Sequence, residues 1–296
     1  MNTVSHTAKV GYLCALLGGI TLSFDTVFIR AINFSPDQIA FWRSFSMSLP
    51  MILIIVFSFF KGKSKIKKEV IYNKDFLLAS FFYGLSSVLF PISAMTTSIS
   101  NMLFIISTAP LWAAIFSWIV TKEIVSRITV LSFVISIVGI TIVMFGSQTS
   151  LSVSIGDITA LLTAMSMAAA FVVGRVSKKD LSLTPSIGAI FSAVLLYFYF
   201  DINFAISLFK FFLILIEGSV IVFLALTLIA KSSKLIPSPH LGFFLLLEAV
   251  LGPIWIWLTF GDIPSAYTFI GGSIILIALI TNSLHAIMAL KVSKSE

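Results

Sequence analysis

Seven side chains in this sequence are suited to handling a charged or planar solute: Asp25, Arg43, Trp112, Glu217, His240, Glu248 and Trp255. All lie within or at the edge of long apolar runs. An ionisable group in such a run faces a protein interior or a water-filled cavity, because lipid does not solvate charge. Arg43 carries a planar five-donor fork that matches a carboxylate, whether on a solute or on a neighbouring residue. It could also snorkel toward the nearer interface. Asp25 could pair with Arg43, bind an amine or carry a proton. Glu248 stands alone in the apolar stretch 241–251, where it could exchange a proton or simply tie helices together. Glu217, beside Gly218 and Ser219, could line an outer vestibule. His240 follows Pro239, and a lone histidine at a helix start serves equally well as an interfacial residue. Trp112 and Trp255 could stack on a planar solute, whereas Trp118 and Trp257 suit an interfacial aromatic belt.

The elements that must position these residues are set by composition. Of 296 residues 58% are hydrophobic and only 10% charged, against about a quarter charged in an ordinary soluble domain. Too few polar residues remain to cover a water-facing surface, so lipid is the solvent. Ten segments reach the roughly 20 apolar residues needed for a crossing. They run at about 10–29, 36–59, 76–96, 101–120, 128–147, 155–175, 184–201, 208–230, 239–260 and 266–287. None alternates polar with apolar as a barrel strand does. The seventh follows Pro185, and the ninth contains Pro253. Near mid-membrane, proline often marks a broken helix that borders a cavity. Rise per residue puts Arg43 roughly 10 Å below one boundary and Asp25 at a similar height, so the two could meet.

Charge then orients the chain. With the N-terminus in the cytoplasm, 16 of the 19 Lys and Arg fall on the inner side, including six Lys between 61 and 74. Arg30 and Lys210 fall outside and Arg43 within a segment. That bias predicts a multi-pass inner-membrane protein with both termini cytoplasmic. The basic loop reads as topology, with no nucleic acid as partner. The first run is too long for a cleaved signal and reads as a retained helix. Cys14 stands alone, which excludes an intramolecular disulfide or a multi-cysteine metal site. There is no Walker-type loop and no metalloprotease histidine motif, so neither cofactor nor metal is expected. The short loops leave no room for an ATP-hydrolysing domain.

The two halves resemble each other. Displacing the chain by 145 residues lays Gly11 on Gly156, Ala15 on Ala160 and Arg30 on Arg175. Displacing it by 139 lays Trp118 on Trp257, Glu123 on Asp262, Ser126 on Ser265 and Thr129 on Thr268. Residues 1–150 and 151–296 are therefore read as two repeats of five helices each. Five is odd, so the second repeat enters from the opposite side. The expected fold is an all-α membrane protein of ten transmembrane helices in two inverted five-helix repeats. Such halves can exchange an inward-open for an outward-open state around a central site.

The motifs resemble the drug/metabolite transporter superfamily, in particular its EamA-type family. Thr108-Ala109-Pro110-Leu111-Trp112, closing at Thr121-Lys122-Glu123, is the first hallmark. The second copy reads Glu248-Ala249-Val250, then Gly261-Asp262, with Ala249 where the family carries proline and Pro253 four residues on. Gly156-Asp157, Pro264, the Gly271-Gly272 pair and Arg43 also fit. The resemblance implies a ten-helix carrier, not an enzyme, that mainly exports amino acids and related metabolites.

The expectation is thus a secondary transporter that moves a small metabolite across the inner membrane by alternating access, with an amino acid or related zwitterion as cargo and export as the direction. A proton or an exchanged solute would drive it, and the chain would work as a monomer or homodimer. Two alternatives stay open: an uptake carrier for a nucleotide-like or cofactor-like metabolite, and a non-transporting membrane enzyme or receptor-like subunit.

Overall fold

A computed structural model describes residues 2–60, 73–97, 105–122, 125–145, 154–261 and 266–292, together with residues 102 and 263. Most of the lysine-rich loop, the closing acids Glu123 and Asp262, and residues 98–100 and 146–153 lie outside the described residues.

The described chain is helical throughout. In order, the helices are α1 (Asn2–Leu22), α2 (Asp25–Ile32), α3 (Pro36–Phe60), α4 (Lys74–Thr96), α5 (Ala109–Thr121) and α6 (Arg127–Phe145). There follow α7 (Ile155–Val176), α8 (Thr184–Tyr199) and α9 (Leu208–Ile216), the last continuing through a π turn at Glu217–Val222 into α10 (Phe223–Ser233). The final pair is α11 (Ser238–Phe260) and α12 (Ala266–Val292).

Side chains are arranged inside out relative to a water-soluble bundle. Phe60, Phe198 and Phe209 are 70–81% exposed, while Ala15, Ala109, Ala160, Ala164 and Ala168 are fully buried. Large apolar groups facing outward are unfavourable in water and at home in lipid. Small groups inside let backbones approach closely, the usual basis of helix association in membranes. Gly84 on α4 and Gly188 on α8 show the limit of this. A Cβ on Gly188 would lie 2.5 Å from the Gly84 nitrogen and 2.7 Å from the Ser80 carbonyl.

Among the described residues, five helical stretches are long and apolar enough to cross a bilayer: Thr7–Ile32, Asp37–Phe57, Ile155–Val176, Leu208–Ser233 and Ser238–Phe260. Ala109–Thr121, Arg127–Ile142, Thr184–Tyr199 and Ala266–Asn282 are apolar but shorter. Ten full-length crossings were expected, so that expectation is met by half of them. Two of the shorter segments have local causes. The fourth segment turns at Ser107–Thr108 and restarts as α5, with Pro110 in the first helical turn, where its missing N–H costs nothing. The seventh stops at Tyr199 after 16 residues, roughly 24 Å at the helical rise.

The breaks also fall where proline does not. α11 runs unbroken through Pro253. The first segment instead breaks at Ser23–Phe24, and the eighth winds into the π turn at Glu217.

Equivalent positions of the two halves make matching contacts. The Ser93 hydroxyl donates to the Gly156 carbonyl at 2.8 Å, and the Ser232 hydroxyl to the Gly11 carbonyl at 2.7 Å. The close approach at Gly156 is to Thr96 and Thr97; that at Gly11 is to Leu235 and Ile236. Lys122 and Gly261 end α5 and α11 in the same left-handed conformation, at φ 57° and 78°. The packing of α1 on α10 is matched by that of α7 on α4.

Candidate functional site

The break at Ser23–Phe24 starts a new helix at Asp25. A carboxylate in a first helical turn sits favourably against the helix dipole, and Asp25 is fully buried there. Trp255 on α11 holds the break. Its indole N–H donates to the Ser23 hydroxyl at 2.8 Å, and its ring stacks on Phe24 with centroids 4.6 Å apart.

Arg43 on α3 reaches Asp25 through two donors. Its Nε and Nη2 lie 3.1 and 2.8 Å from the same carboxylate oxygen, Oδ2. On its other flank Nε lies 3.2 Å from Glu217 Oε1, and the guanidinium sits 5.6 Å from the Phe90 ring centre. Two buried carboxylates thus clasp one guanidinium and join α2, α3 and the π turn. A π turn shifts the facing of its residues, and such bulges gather at functional sites. Here it begins at Glu217. Beside it, Ser219 donates to the Ser46 carbonyl at 2.7 Å, and Gly218 packs on Ser46 and Met47. The close approach brings α3 and the π turn together next to Arg43. By sequence Glu217 could line an outer vestibule. It is instead 1% exposed and committed to Arg43, because the partly buried guanidinium draws in a second carboxylate.

A cavity of about 60 Å³ lies against the clasp. Its wall includes Arg43, Ser86, Ser87, Phe90, Ser107, Thr163, Glu248 and Ala249. Glu248 is ten residues from the start of α11 and twelve from its end, hence close to the helix midpoint. Among the described residues it has no hydrogen bond or salt bridge to protein, unlike Asp25 and Glu217. The volume admits a few waters or a small head group.

The structure therefore brings Asp25, Arg43, Glu217 and Glu248 to one centre, with Trp255 supporting it through Ser23 and Phe24. It does not bring Trp112 or His240 there. The Trp112 indole donates to Thr108 Oγ1 at 3.2 Å, and its ring meets Phe116. His240 sits at the start of α11, where Nδ1 meets the Tyr12 hydroxyl and Nε2 lies 3.4 Å from Thr129 Oγ1. That set ties the middle of α1 to the starts of α6 and α11. Asp157 caps α7 as its position predicts, in a reciprocal box with Ser154, and accepts from Thr97 at 2.6 Å. Trp118 and Trp257 are 57% and 38% exposed, in keeping with an outward-facing belt.

Sequence reasoning missed the serines and threonine of the cavity wall. Hydroxyl residues are common in membrane helices because they satisfy themselves on their own backbone. Ser86 donates to the Tyr83 carbonyl and Thr163 to the Thr159 carbonyl. Nothing in their spacing marks them out. The break at Ser23–Phe24 left no proline or glycine pair at the site to signal it.

Known proteins agree with this picture. Residues 9–145 match the EamA-like transporter family. A protein from Helicobacter pylori described as an uncharacterized transporter is 30% identical over 149 residues. That match spans 48% of this chain and 46% of the relative, about half the length of each. A solved crystal structure superposes with a TM-score of 0.71 over 93% of this chain and 98% of its own, at 14% identity. That likeness speaks for the fold, which is an all-α multi-span membrane architecture. Over residues 9–145, just under half of its length, this chain is similar to the EamA-like transporter family.

Proposed function

We propose that the protein is a secondary carrier that moves a small metabolite across the inner membrane by alternating access, with an amino acid or related zwitterion as cargo and export as its direction. The observation that carries this reading is the cavity at mid-helix depth, walled by a partly buried guanidinium and by Glu248, which has no hydrogen bond or salt bridge among the described residues. Ionisable groups held at that depth mark solute or ion pathways.

The halves supply the moving parts. Ten crossings in two inverted repeats, residues 1–150 and 151–296, account for the paired contacts Ser93–Gly156 and Ser232–Gly11. They also account for the matching left-handed ends at Lys122 and Gly261. If the halves exchange conformations, α3 with α8, α5 with α11 and α6 with α12 are three of the five pairs that map onto themselves, and each of these three is in contact. The discontinuities at Ser23–Phe24, Ser107–Thr108 and Glu217 adjoin the cavity, where irregular backbone is tolerated in a membrane.

The experiment is uptake into proteoliposomes of labelled amino acids, nucleosides and cofactors, with and without a pH gradient. Movement of at least one zwitterion is the expected result. Failure of every solute to move removes the carrier reading, and movement of nucleosides or cofactors alone removes the zwitterion.

A further inference from the structure

The cavity described above has a chemistry of its own, and it favours one pole of a solute over the other. Arg43 is the natural receptor for a solute carboxylate, yet two carboxylates already face its single positive charge. Nε and Nη2 both serve Asp25, and Glu217 closes on the Nε side at 3.2 Å. The Nη1 donors are not engaged by either acid, but an anion there would bring a third negative charge to one guanidinium.

The remainder of the wall offers acceptors. Glu248 has no protein partner among the described residues. Ser86 and Thr163 have spent their hydroxyl hydrogens on their own helices, which leaves lone pairs. Pro253 has no N–H to give, so the Ala249 carbonyl one turn back loses its helical donor, and Ala249 borders the same cavity. Charge points the same way. Asp25, Glu217 and Glu248 face Arg43 alone, so the centre is short of two positive charges if all three acids are ionised. A buried carboxylate needs a counter-cation or a proton.

We infer that the cavity binds the ammonium pole of its solute at Glu248, and that Arg43 acts as a positioning residue that fixes Asp25 and Glu217 without touching cargo. An ammonium group supplies three donors and accepts nothing, which suits a wall rich in acceptors. Leu22, Met167 and Leu226 on the same wall provide apolar surface for a short hydrocarbon body. A carboxylate on the cargo is then tolerated and not required.

This rests on the carrier reading for its meaning but not for its test. Calorimetric titration of the purified full chain in detergent would compare n-butylammonium, butyrate and γ-aminobutyrate. The amine and the zwitterion are expected to bind and butyrate is not. Glu248→Gln, which keeps shape and loses charge, should weaken the amine roughly ten-fold to a hundred-fold, the worth of one charge-assisted hydrogen bond. Glu248→Asp should bind within a few-fold of the wild type. Arg43→Lys is expected to lower thermal stability while leaving the preference for amine over butyrate. Butyrate binding as tightly as the amine, no binding of the amine to the wild type, or full amine binding to Glu248→Gln would each overturn the inference. None of these outcomes touches the carrier reading. Amine binding with no solute moved in proteoliposomes would remove the carrier reading and leave this one intact.

Discussion

At the residue scale, the protein holds a charged group in lipid by surrounding it. Arg43 is stable because two carboxylates and an aromatic face replace its water. Arg43→Ala leaves Asp25 and Glu217 buried with no cation and should cost about 3–5 kcal/mol, read as a lower unfolding temperature in detergent. Arg43→Ala with Asp25→Asn should recover part of that loss, because one orphaned charge is removed with its partner. Trp255→Phe keeps the stack on Phe24 and loses the bond to Ser23, so a smaller loss of about 1 kcal/mol is expected. The charged residues of this centre were legible in the sequence, since an Asp, an Arg and two Glu inside apolar runs have few places to go. Helical rise placed Asp25 and Arg43 at similar heights and left their pairing open; the structure pairs them. The commitment of Glu217 did not follow, because it depends on a π turn, and EGSVIV carries no residue that demands one.

At the element scale, the departures from regular helix are concentrated around the cavity. The sequence directs attention to Pro253, and proline there leaves α11 continuous. Its effect is instead a missing hydrogen bond at Ala249. The first segment breaks with no proline, held open by a tryptophan on another helix. Positions of this kind are set by tertiary contacts and so escape a local reading. Close helix contacts follow small residues: Ala160, Ala164 and Ala168, spaced four apart on α7, are fully buried. Gly188→Ala should be poorly tolerated, since its Cβ would meet backbone atoms of α4 that cannot yield. A loss of about 1–3 kcal/mol is expected. Gly261→Ala meets nothing within 4 Å, yet its φ of 78° costs an L-residue energy. A loss of about 1 kcal/mol should result, measurable in the same assay.

At the scale of the whole molecule, the proposed function rests on two halves that are alike and oppositely threaded. In the sequence this reading rests on a handful of matched residues, among them Gly11 with Gly156 and Trp118 with Trp257. Matches among Leu, Ile and Ala could not have carried it, because lipid selects those residues everywhere. Ser93 and Ser232 make the same bond to equivalent glycines at different ends of the molecule. Substituting each by Ala in turn should change solute access from different faces, seen as unequal effects on efflux and influx in oriented proteoliposomes. A direct measurement of the threading needs no substrate. With Cys14 replaced by Ala, single cysteines at Lys122 and Gly261, both at exposed helix ends, are reacted with a membrane-impermeant maleimide in intact and in opened cells. The account predicts that Gly261→Cys reacts in intact cells and Lys122→Cys only after opening. Labelling of both from the same face would contradict it.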